Sequence, residues 1–224
     1  MEIPMSNFFA VNHSQLSDDL AVALPNYRIA HYPRTSISNK TKQVKGTKHL
    51  YRLRSEHLFK VGNDLVTPMV VLRDQTFPGA ALKLHVGLYR LVCSNGLLGV
   101  AISEPTVRIP HFTNRKEQLE GIAAAIFDAS ARMESIIETA NTLTTIQVKA
   151  PTTVVESLGL PKTLVEKLLL GVKAGNVRPE DDITTVWGLY NYINETMFSR
   201  TRSVFAAVDR DTTLVSQIIT ANAA

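Results

Sequence analysis

The period of the apolar residues changes along the chain, and each change marks an expected element. Leu16, Leu20 and Leu24 recur every four residues between Ser14 and Pro25, which suits one brief helix. From about residue 58 to 109 the period is two. In "AALKLHVGLYRLVC" the residues Leu82, Leu84, Val86, Leu88 and Val92 share one face, with Arg90 among them, while Lys83, His85, Tyr89, Leu91 and Cys93 share the other. Pro78-Gly79 suits the centre of a type II turn and Asn95-Gly96 that of a type I′ hairpin. A three-stranded meander through "DLVTPMVVLRDQTF", this strand and "LLGVAIS" is therefore expected.

From Asn114 the period becomes 3.6. Leu119, Ile122, Ile126, Met133, Ile136, Ile137, Ala140 and Leu143 trace one stripe through a helix over about 116–145, with Asn114 as its N-cap and Glu117 at the capping-box position. A further helix is expected from Pro161 through Leu170, ending near Gly171 or Gly175. Another begins at Asp181 or Asp182 and carries Ile183, Val186, Trp187, Tyr190, Ile193 and Met197, and "TTLVSQIITA" forms the last. The predicted class is α+β, with an antiparallel β-meander in the N-terminal half packed with a helical C-terminal half. We read 1–224 as one domain in two parts, about 26–110 (a basic segment plus sheet) and about 114–224 (helical).

Composition narrows the class only a little. With 45% hydrophobic residues the chain can bury a core. No apolar run reaches the roughly 18 residues of a membrane span, and "MEIPMSNFFAVNHSQLSDD" lacks a basic flank followed by an apolar run, so the expected location is cytoplasmic, with no membrane partner. A single cysteine forms no internal disulfide.

Charge changes the picture more. Arg28, Arg34, Lys40, Lys42, Lys45, Lys48, Arg52 and Arg54 make eight cations with no acid between them; the chain's net charge is +4, so the remainder carries four minus eight, or −4. Such a block attracts polyanions, or else is a solvated lysine-rich loop. The segment buries little and is expected as a loop or extended hairpin. Tyr27, Tyr32 and Tyr51 are interleaved with the cations; aromatic faces stack on the bases of single strands, although each ring can equally anchor a loop to the core. Arg90, aimed at an apolar face, must be paired with an acid such as Glu120 or Glu134, or else reach the sheet edge as a phosphate contact.

Other chemistry finds less support. Cys93 has no adjacent base, and His85, eight residues away on the same face, is out of reach along one strand. The histidines at 13, 31, 49, 57, 85 and 111 show no HxH or HExxH spacing, so any zinc site would have to be assembled by the fold, and we expect no metal and no cofactor. "GLPKTL" lacks a phosphate loop and reads as a helix start.

The segment "HVGLYRLVCSNGLLGV" resembles the phage and plasmid protein family of unknown function that carries R-x-V-C-x-N-[GT]-L, matched by Arg90, Val92, Cys93, Asn95, Gly96 and Leu97. "VRIPHFTNRKEQLEGI", with His111, is similar to the downstream segment of that family. The resemblance covers about 65–122 and implies a mobile-element origin, but it assigns no activity, since that family has no agreed catalytic residues to carry across. In layout the chain is also similar to the Drc-type single-stranded-DNA-binding regulators of podoviruses, which implies self-association and support of viral transcription or replication, with a viral RNA polymerase as a further partner.

The expected function is therefore non-catalytic, weakly sequence-specific binding of single-stranded DNA through Arg28, Arg34, Lys40, Lys42, Lys45, Lys48, Arg52, Arg54, Tyr27, Tyr32, Tyr51 and Arg90. A counter-defence protein that docks on a host enzyme is the alternative, and a nuclease using Asp64, Asp74 and Glu104 comes third. Leu214, Val215, Ile218 and Ile219 in the last helix either close the protein's own core or join subunits of a homo-oligomer.

Overall fold

The structure is a computed structural model, and it describes residues 13–37, 44–75, 82–91, 107–109, 115–178, 181–200 and 204–223. The elements run α1 (His13–Ala23), β1 (Tyr27–Ile37), β2 (Val44–Ser55), β3 (Phe59–Val61), β4 (Asp64–Gln75), β5 (Leu82–Arg90), β6 (Val107–Ile109), α2 (Arg115–Ala131), α3 (Met133–Thr145), α4 (Pro151–Ser157), α5 (Lys162–Lys173), α6 (Val186–Arg200) and α7 (Val204–Ala223). The class is α+β. Among the described residues the sheet order is β1-β2-β4-β5-β6, with β3 paired to β4.

The basic segment is the long hairpin β1–β2, antiparallel from Tyr27↔Ser55 to Ile37↔Val44, with an irregularity between Ser36 and Ile37. β2 continues the ladder onto β4 from Lys48↔Gln75 to Arg54↔Met69, and β5 pairs β6 through Leu82↔Ile109. The turn residues Pro78-Gly79 and Asn95-Gly96, the expected strand "LLGVAIS", Cys93 and His111 lie outside the described residues.

The chain forms two compact units that are not contiguous in sequence. The first takes in α1, β1, β2, β4 from Pro68, β5 to Val86, β6 and α2. Its core is built from Leu16 and Leu20 of α1, Leu50, Tyr51 and Leu53 of β2, Val70 and Leu72 of β4, Leu82 and Leu84 of β5, and Ile122 and Ile126 of α2, all buried. The expected helix α1 is confirmed, and its leucines face inward as the four-residue spacing requires.

The second unit takes in β3, β4 to Thr67, β5 from Gly87, and α3 to α7. Gly62 turns the β3–β4 hairpin with φ 55°, a left-handed conformation that suits glycine. Its N–H donates to Asn141 Oδ1 at 3.0 Å, which ties the hairpin to α3. Leu214, Val215 and Ile218 of α7 are buried, and α7 packs on α6 and α4, so these three side chains close the core of their own unit; Ile219 is exposed.

The helix expected over 116–145 is two helices, α2 and α3, interrupted at Arg132. Ile122 and Ile126 fill the first core, and Met133, Ile136, Ala140 and Leu143 fill the second, so the single apolar stripe serves both units. α5 starts directly after Pro161 as expected. α6 starts at Val186, later than Asp181 or Asp182, because Asp182 accepts the N–H and hydroxyl of Thr184 and forms a turn ahead of the helix.

Candidate functional site

Strand alternation and the antiparallel register sort the basic hairpin into two faces. Directly opposed residues point to the same side of a sheet. The pairs Arg28↔Arg54, Ala30↔Arg52, Tyr32↔Leu50 and Arg34↔Lys48 therefore place Arg28, Arg34, Lys48, Arg52 and Arg54 on one face together with Tyr32. The β2–β4 pair Leu50↔Arg73 adds Arg73, which sequence reasoning missed. On β1, at the sheet's edge, Arg28, Tyr32 and Arg34 are exposed; Lys48, Arg52 and Arg54 are half-buried, and Leu50 between them is buried. The cationic surface is thus concentrated toward the outer strand.

Within this face the Arg52 guanidinium carbon lies 5.3 Å from the centroid of the Tyr32 ring, a cation–π distance. Arg28 Nε donates to Glu56 Oε1 at 3.2 Å, with both side chains largely exposed, and an exposed pair of this kind is held weakly. Lys40 and Lys42, and the side chain of Lys45, fall outside the described residues.

The opposite face carries Tyr27, Ile29, His31, His49, Tyr51 and Leu53. Tyr51 is fully buried, so its ring has no face open to a base. Its hydroxyl donates to the main-chain carbonyl of His13 at 3.1 Å and lies 2.8 Å from His13 Nδ1. α1 thereby delivers His13 to the sheet beside His31 and His49. The three rings stack: His13 on His49 with centroids 3.3 Å apart, and His31 on Tyr51 at 4.4 Å. His31 Nε2 lies 3.0 Å from His49 Nδ1, and His13 Nε2 lies 3.0 Å from the buried Asp74 Oδ2. One ring nitrogen from each histidine lies within 4.8 Å of the others.

Burial disfavours charge on the His31 and His49 imidazoles. Burial pushes His49 down to about 4, helped by positive charge on His13 and His31 and opposed by Asp74. Burial and then His13 lower His31 as well. The Tyr51 phenol is raised, first by burial and then by Asp74.

Arg90 is fully buried in the second unit and reaches no surface where a phosphate would bind. Its Nη2 contacts Asp64 Oδ1 at 2.7 Å and its Nη1 bonds Asp181 Oδ1. Its partners are therefore aspartates from the start of β4 and the turn before α6, in place of the expected Glu120 or Glu134. Burial works against its charge, but the two carboxylates outweigh that and hold the guanidinium above its ordinary value. Asp64 Oδ2 also accepts the Trp187 indole N–H at 2.7 Å. Of the three acids considered for a nuclease, Asp64 is committed to this network, Asp74 faces His13, and Glu104 lies outside the described residues.

An antiparallel sheet whose edge hairpin carries cations on one face and imidazoles on the other, followed by a helical half, defines the class as an α+β protein. The profile of the DUF932 family, a domain of unknown function, matches residues 34–163, more than half of the chain, and the protein belongs to that family. Neither among curated proteins nor among solved structures does the chain find a match. Among the described residues no helix is long and apolar enough to cross a membrane.

Proposed function

We infer that this protein binds single-stranded DNA without catalysis, through the face of β1–β2 that bears Arg28, Arg34, Lys48, Arg52, Arg54 and Tyr32. The observation that supports the reading is the parity of the hairpin: five basic residues at even positions fall on one side by register, with an exposed tyrosine among them. Cations track the phosphates of such a strand, and an exposed aromatic ring receives a base that a duplex keeps stacked. Lys40, Lys42 and Lys45 extend the same segment in sequence and belong to the reading. Support of phage transcription or replication, and self-association along the polymer, are the roles this binding would serve.

Fluorescence anisotropy with matched single- and double-stranded oligonucleotides at two ionic strengths tests the proposal. The single strand should bind more tightly and weaken steeply with salt, because neutralised phosphates release condensed counterions. No binding of single strands at low salt, or equal binding of duplex, overturns it.

A further inference from the structure

We propose that His13, His31 and His49, together with Asp74, bind a divalent cation of the zinc class. The site lies on the other face of the hairpin from the basic residues and stands apart from the polynucleotide reading.

The hydrogen bonds around His13 are satisfied by the tautomer with its proton on Nδ1. The Tyr51 hydroxyl has one proton and gives it to the carbonyl oxygen of His13. The 2.8 Å contact between Tyr51 and His13 Nδ1 is then made by an Nδ1–H donating to the phenol oxygen. A neutral His13 consequently carries its lone pair on Nε2. That nitrogen is buried, makes no hydrogen bond, and lies 3.0 Å from Asp74 Oδ2, whose side chain is fully buried. A lone pair facing a carboxylate at this distance is repulsive unless a proton or a metal cation lies between the two atoms.

The two remaining histidines supply the rest of a ligand set. Register makes them diagonal neighbours, since His31 opposes Tyr51 and His49 opposes Pro33, and their Nε2 and Nδ1 atoms already face each other at 3.0 Å. Three imidazole nitrogens and one carboxylate oxygen form a four-ligand donor set common for zinc, and imidazole selects against the oxygen-seeking calcium and magnesium. The His13 and His49 rings lie within 6° of parallel, so both must turn about their side-chain torsions to aim their lone pairs at one ion. Tyr51 limits that motion for His13 by holding its Nδ1.

A proton on His13 would also satisfy the contact with Asp74, and the experiment separates the two cases. The full chain, stripped with chelator, is titrated with Co2+ and then with competing Zn2+. One Co2+ per chain should give the visible ligand-field band of a four-coordinate nitrogen and oxygen site, and Zn2+ should abolish the band and raise Tm. His31→Gln, on the edge strand, and His49→Gln should each lose the band, while His57→Gln, outside the cluster and exposed, should keep it. Absence of stoichiometric binding by the unmodified chain overturns the proposal whatever the variants do, as does undiminished binding by His31→Gln and His49→Gln.

Discussion

Trp187 donates its indole N–H to Asp64 across 123 positions of sequence, and the other oxygen of the same carboxylate holds Arg90. Arg90 in turn bonds Asp181, so one buried guanidinium joins the β4 start to the turn before α6. Removing one partner of such a network leaves charge buried without compensation, which costs about 3–5 kcal/mol. Arg90→Met should therefore lower the urea midpoint severely. Arg90→Lys should recover little, because one ammonium does not reproduce the fork that reaches both aspartates. Trp187, the sole tryptophan and a buried one, reports the transition through its fluorescence. A midpoint within error of the parent would show that the network contributes little.

Part of this arrangement was legible in sequence. Arg90 on an apolar strand face announced that it needed an acid, but its partner Asp181 is 91 residues away and only the fold selects it over Glu120 or Glu134. The basic block was visible as composition; its one-sidedness was also present, as even numbering along both strands, yet it becomes meaningful only once register pairs Arg34 with Lys48. The histidine cluster had no local spacing to reveal it, since it joins a helix to two strands and depends on that same register. The break at Arg132 has no glycine or proline to mark it. α4, which the apolar pattern did not single out, did carry a start signal in Pro151 at its first turn.

Gly171 lies against the Tyr192 hydroxyl, so closely that an added Cβ would sit 2.1 Å from the oxygen and 3.4 Å from Cζ. Gly171→Ala should destabilise by about 1–3 kcal/mol, the usual cost of overpacking. Replacing Tyr192 by Phe deletes the clashing atom and leaves an ordinary contact with the ring. In the Tyr192→Phe background the same Gly171→Ala change should therefore cost markedly less, and a double-mutant cycle by urea unfolding measures the difference. Equal costs in the two backgrounds would mean that the clash is relieved by movement elsewhere.

Tyr192 also makes stability depend on alkaline pH. Its hydroxyl donates to the Leu168 carbonyl at 2.8 Å, and burial, then the charge on Asp181, raises its pKa above the ordinary 10.0. The unfolded chain ionises first, so the contribution is complete below pH 10 and is lost as pH rises through the folded value. Tyr192→Phe should flatten part of that loss in urea midpoints measured from pH 8 to 11. Tyr51, raised in the same direction, accounts for a further share. A parent midpoint that is constant across this range would contradict both assignments.

The two kinds of side chain on the basic face should separate in a salt titration. Arg34 and Lys48 are directly opposed, and neutralising both as Arg34→Gln and Lys48→Gln removes two cations from one stretch of the face. If each meets a phosphate, the slope of log affinity against log salt should become shallower by about 0.7 per residue, or about 1.4 for the pair. Tyr32, exposed and next to Arg52, should act through stacking: Tyr32→Ala should cost about 1–3 kcal/mol of affinity with the slope unchanged. Tyr27→Ala, on the opposite face, should leave affinity and slope alone if the contact is confined to one side of the hairpin. A Tyr27 variant that loses as much as the Tyr32 variant would instead place the strand around the hairpin's edge, against both faces.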